Sequence, residues 1–68
     1  MAEENQHIQK LIEAREHHVK ARRDIARTLA EPYKRGHPEM RDAFKDLQSA
    51  IEAIDRAIAD ERRLVSGT

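Results

Sequence analysis

The chain has 68 residues and no cysteine, and its 13 Lys/Arg balance 13 Asp/Glu to a formal net charge of zero. That length bounds it to one domain, residues 1–68, and the missing thiols exclude disulfides, thiolate metal sites and a cysteine nucleophile. Apolar and charged residues each make up 38%, and no apolar run approaches the ~18 residues that a bilayer span requires.

The first residues, Met1-Ala2-Glu3-Glu4, are acidic and carry no mark of a signal or transit peptide. A soluble, cytoplasmic protein with no membrane contact is therefore expected. Tyr33 and Phe44 are the only aromatics, but abundant Ala, Glu, Arg, Lys, Leu and Ile favour long helices. Strict alternation of polar and apolar residues is absent, so no strand is expected and the fold class is all-α.

The first helix is expected over about residues 3–35. It places Ile8, Leu11, Ile12, Val19, Ile25, Ala26, Leu29 and Tyr33 at helical spacing. Arg15 and Arg22 fall seven residues apart on the same face, with His18 between them on its edge. The simplest role for the arginines is that their aliphatic stems cover apolar surface while the guanidinium groups reach acids at the rim, Asp55 and Glu52 being the candidate acceptors. A polar residue in such a seam also fixes register and oligomer state, so Arg15, His18 and Arg22 form a candidate specificity set.

Next comes Glu31-Pro32-Tyr33-Lys34-Arg35-Gly36-His37-Pro38, which can be punctuated in two ways. Pro32 can stop the first helix near Ala30, because the residue before a proline is pushed out of α geometry. Alternatively the helix kinks at Pro32 and ends at Gly36, with Lys34 and Arg35 in its last turn. The pairing of the two stripes favours the second scheme. Folding the chain at Gly36–His37 sets Tyr33 against Met40, Leu29 against Phe44, Ala26 against Leu47, Val19 against Ile54 and Ile8 against Val65. It also sets Arg22 against Ile51 and Arg15 against Ile58.

The second helix, expected over about 38–65, opens with Pro38 at its first position and Glu39 in its first turn. Met40, Phe44, Leu47, Ile51, Ile54, Ile58 and Val65 step alternately by four and three, a heptad seam that only Glu61 interrupts. Ala43, Ala50 and Ala57 flank it every seventh residue, and small side chains there let a neighbouring helix approach closely. The expected fold is an antiparallel two-helix hairpin. One partner helix does not cover a stripe three positions wide, so two hairpins are expected to dimerise into a four-helix bundle, unless a larger protein supplies the missing helices.

These features point to a non-catalytic protein that acts by protein–protein contact, as an adaptor, inhibitor or regulator. Its expected interface comprises Phe44, Leu47, Ile51, Ile54 and Ile58, with Ile12, Val19 and Leu29 opposite. Two alternatives rest on other residues. Residues 10–35 hold eight Lys/Arg against four Asp/Glu, and Lys20, Arg23, Arg27 and Lys34 form a basic ridge suited to phosphates. The expected architecture is similar to that of the small RNA-binding four-helix bundle ROP, an analogy of fold alone. Against it, Glu16, Asp24 and Glu31 stand four residues from Lys20 or Arg27, where ordinary surface pairs form. The second alternative is a metal shared between subunits through Glu13 and His17, but the pair lies on the outer side, so no metal ligand and no cofactor is expected. Ile51-Glu52-Ala53-Ile54-Asp55-Arg56-Ala57-Ile58 resembles the opening helix of helical chorismate mutases. In that family further helices follow this segment, and no catalytic residue carries over.

Overall fold

The computed structural model describes residues 2–31 and 38–66, with side chains from Gln6 onward. It is all-helical: α1 spans Ala2–Leu29 and α2 spans Pro38–Ser66, and the two pack against each other. Two side-chain bonds set their direction. Arg15 reaches Asp55 and Arg22 reaches Gln48, so seven residues forward along α1 match seven back along α2. The helices are antiparallel, in a rod of 52 × 15 × 13 Å.

α1 ends sooner than the stripe pairing predicts. Its last regular residue is Leu29, and the end tightens: Ala30 N–H still donates to the Ala26 carbonyl at 3.0 Å, but Glu31 N–H turns to the Thr28 carbonyl at 3.1 Å. Pro32 is the cause. A regular helix would have residue 32 donate to the Thr28 carbonyl, and proline has no N–H to give. Glu31 takes over that acceptor in a 3₁₀-type bond. The expected kink at Pro32, the Tyr33–Met40 pair, the Gly36 cap, Lys34 and His37 all lie outside the described residues. The start of α2 is as expected, with Pro38 in first place and Glu39 in the first turn.

The core is thin. Among the described residues only Ile51, 2% exposed, and Ile58, 7% exposed, are buried, and both belong to α2. Each contributes about 1.5–3 kcal/mol relative to an exposed side chain. Ile8, Leu11, Ile12, Val19, Ile25 and Leu29 on α1 are half-buried, as are Met40, Phe44, Leu47 and Ile54 on α2. Two expected pairings fail. Ala26 is exposed, because the neighbouring Ile25 takes the inward position beside it. Val65 remains 45% exposed in the last turn of α2, where a single neighbouring helix covers only one side.

Candidate interaction face

The seam of α1 repeats every seven residues as Ile8, Arg15, Arg22 and Leu29, with Leu11, His18 and Ile25 beside it; all are half-buried. Arg15 and Arg22 therefore stand in the stripe, with His18 on its edge. The two arginines leave it by the same edge. Arg15 Nε donates to Asp55 Oδ1 at 2.6 Å and Nη2 to Oδ2 at 3.4 Å, a side-on pair. Arg22 Nη1 donates to Gln48 Oε1 at 2.7 Å, and Gln48 Nε2 donates to Glu52 Oε2 at 3.0 Å. The charge of Arg22 thus reaches Glu52 through an amide relay.

Asp55 and Gln48 each lie three residues before one of the two buried isoleucines, Ile58 and Ile51. Each arginine meets α2 one turn away from an isoleucine that the stripe pairing sets opposite it. That arrangement lets the stems lie over apolar surface while the heads reach the rim. The hydrogen bond that Arg15 donates to Asp55, then the carboxylate's charge, raises the Arg15 guanidinium above its ordinary value, so it stays a cation at every ordinary pH. Its side chain is 42% exposed and that of Asp55 48%, so water screens the pair and it directs geometry more than it stabilises. His18 Nδ1 lies 2.7 Å from the Ala14 carbonyl, so that nitrogen carries a proton and the ring is held against its own helix.

Sequence reasoning named Asp55 and Glu52 as acceptors but missed Gln48, the group that joins Arg22 to Glu52. The signal was present: Gln48 stands seven residues before Asp55, on the same edge of α2, just as Arg22 stands seven after Arg15.

On α1 and α2 alike, each residue turns the chain by about 100°. The edge bearing Asp55 and Gln48 is therefore closed by the arginines, and the opposite edge of the seam is left to small residues. These are Ala14, Ala21 and Thr28 on α1 and Ala43, Ala50 and Ala57 on α2, all half-buried. Antiparallel packing directs both sets to the same side of the hairpin, beside Leu47 and Ile54. Leu64, the most exposed large apolar side chain among the described residues at 65%, continues the α2 row. This side is a broad apolar face with a floor of alanine.

The other candidates are dispersed. Lys20 and Arg23 are exposed, Arg27 is paired to Asp24 at 2.9 Å, and Lys34 lies outside the described residues. Glu13 and His17 are exposed, and among the described residues no group of three potential metal ligands gathers. An open depression beside Arg56, Asp60 and Arg63 is lined by α2 alone, and Arg63 and Asp60 are paired with each other. Among the described residues no helix is long and apolar enough to cross a membrane. No family model, no curated protein and no solved structure matches the chain.

Proposed function

We propose that the chain is a non-catalytic, cytoplasmic binding protein that works by completing a helical bundle, its open apolar face packing against further helices. The observation that carries this reading is the thin core. A stripe of apolar residues runs along both helices, yet among the described residues only Ile51 and Ile58 are buried. A single core in a chain this small supplies about 3–5 kcal/mol at best, and a core left half-open supplies less. Large exposed apolar faces on soluble proteins mark places where another surface sits. The arginine edge supports the same reading, because a hairpin polar along one edge and apolar along the other offers a single side for docking.

The test is made on dilute chain whose mass, by light scattering, is that of one copy. Such a monomer should bind an apolar fluorescent dye and melt broadly. Replacing Leu47 and Ile54 by Gln should abolish the dye signal. A monomer that excludes the dye and melts in one sharp transition would sink the proposal, because its face would need no cover.

A further inference from the structure

The open face rests on the reading just given; its geometry also points to what covers it. The accessible surface of the chain is 5419 Å². A compact monomer of 7.9 kDa exposes about 4,400 Å², so the hairpin carries an excess of about 1,000 Å². A stable interface removes about 800 Å² from each partner. The uncovered area is thus what one protein partner of ordinary size would take.

The face complements itself. On α2 the large residues Met40, Leu47 and Ile54 occupy one heptad row, and Ala43, Ala50, Ala57 and Leu64 occupy the row beside it. Reversing α2 about its middle, near residue 52, lays one row on the other. Leu47 then meets Ala57, Ile54 meets Ala50, and the exposed Leu64 meets Met40. From Met40 to Leu64 large side chains seat over small or exposed ones, as knobs in a close-packed bundle require, and only Glu61, which comes over Ala43, breaks the apolar run.

The same level on α1 is Ala21, as the pairing of the two stripes sets it. Reversing α1 about that point crosses it at Ala21 itself and brings Ala14 over Thr28, small residues again. On the exposed rim of α1 it brings Lys10 within one residue of level with Glu31, and His17 likewise with Asp24. One two-fold axis therefore satisfies the packing of α2, the packing of α1 and the Lys10–Glu31 charge pair. It also moves Asp46 toward Asp60, but Arg63 already pairs with that acid. The other face-to-face arrangement, α1 of one copy over α2 of the next, keeps the stripe pairing and brings Asp24 within three residues of level with Asp46, Glu31 with Glu39 and Lys10 with Asp60. Two like pairs against one opposite pair disfavour it, and rim charges of this kind select orientation rather than affinity.

We infer that the occupant is a second copy of the chain, docked with α1 on α1 and α2 on α2, antiparallel. In that dimer Met40, Leu47 and Ile54 of each copy seat against Leu64, Ala57 and Ala50 of the other.

The experiment uses the full chain, which has no cysteine of its own. Light scattering over a concentration range should give twice the 7.9 kDa chain mass. Two single-cysteine variants at exposed positions of one rim, Ala53→Cys and Glu39→Cys, are then treated with a short bis-maleimide. The Ala53→Cys pair sits beside the axis and should cross-link at least about tenfold faster, because docking holds its thiols at high effective concentration. The Glu39→Cys pair is separated by most of the helix, roughly 40 Å at 1.5 Å per residue. Equal rates would mean a parallel dimer, and a dimer in which neither variant links would mean a different face or pairing; either overturns the inference. A monomer that binds the apolar dye would also overturn it and leave the open-face reading standing. A monomer that excludes the dye would end both.

Discussion

The two helices are nearly equal in length, 28 and 29 residues, but they contribute unequally to the core. α2 carries an almost unbroken apolar seam and holds both buried side chains. α1 sets Arg15 and Arg22 into its own seam with His18 beside them, and three of its heptad positions are thereby polar. The difference separates two tasks. α2 supplies apolar area; α1 supplies direction, because its arginines bond one edge of α2 and leave the opposite edge open. A hairpin with two apolar seams would bury more, and it would accept a neighbour from either side.

The largest expected effect tests which helix holds the core. Ile51→Ala or Ile58→Ala should each cost about 2–5 kcal/mol, since a buried isoleucine leaves a cavity as well as losing its transfer energy. For a domain this small that is enough to abolish the folded state at room temperature. Ile12→Ala and Val19→Ala, cut from half-buried positions of α1, should cost clearly less. Thermal melts followed by circular dichroism decide the matter. Equal losses from the two helices would break the comparison, and would mean that the assembled protein buries α1 as deeply as α2.

That inequality was partly legible in the sequence. The four-three stepping from Met40 to Ile58 is enough to place α2 and to choose its inward face, and Pro38 with Glu39 marks its start. The Arg15–Asp55 contact was readable too, because stripe pairing brings a long cation within reach of a rim acid. Three features escaped, each for a physical reason. The end of α1 depended on a contest at Pro32 between matching apolar stripes, which favours a longer helix, and a missing N–H, which ends it; the missing donor prevailed at Leu29. Gln48 was overlooked because a neutral amide carries no charge signal, although it relays Arg22 to Glu52. The exposure of Val65 reflects a limit of periodicity, which states where a residue points and not whether anything lies there. The same limit governs the candidate site: spacing places its residues on one face, and a stripe three positions wide already implies an uncovered side, but which edge the arginines close required the fold.

A second, smaller effect sharpens the division of tasks. Arg15→Leu together with Arg22→Leu removes the polar positions from the α1 seam and should raise the melting temperature, since apolar replacements of partly buried charges are often stabilising. The same change should broaden the distribution of oligomers, because the edge that the arginines close becomes as apolar as its opposite. Melting curves and sedimentation velocity on one sample measure both. A double variant that melts higher and still sediments as one sharp species would remove the specificity role from α1.

The smallest effect concerns the ion pair itself. Asp55→Asn keeps an oxygen for Arg15 Nε and removes the carboxylate charge, so its cost should be well below that of either isoleucine truncation. Its pH dependence follows from the raised guanidinium. A cation whose folded-state value lies above its unfolded value contributes stability that is complete below the unfolded value, which for a guanidinium is strongly alkaline, and is lost only as pH climbs through the folded one. The difference in melting temperature between the parent and the Asp55→Asn chain should therefore stay constant from about pH 7 to 11, where Arg15 does not titrate. Measured against salt, the same difference should shrink, because both side chains are open to water and screening reaches them. A difference that declined with alkaline pH would show that a group other than Arg15 answers to Asp55. A difference insensitive to salt would show that the pair is enclosed in the working assembly, which would place the arginine edge, and not only the alanine side, under cover.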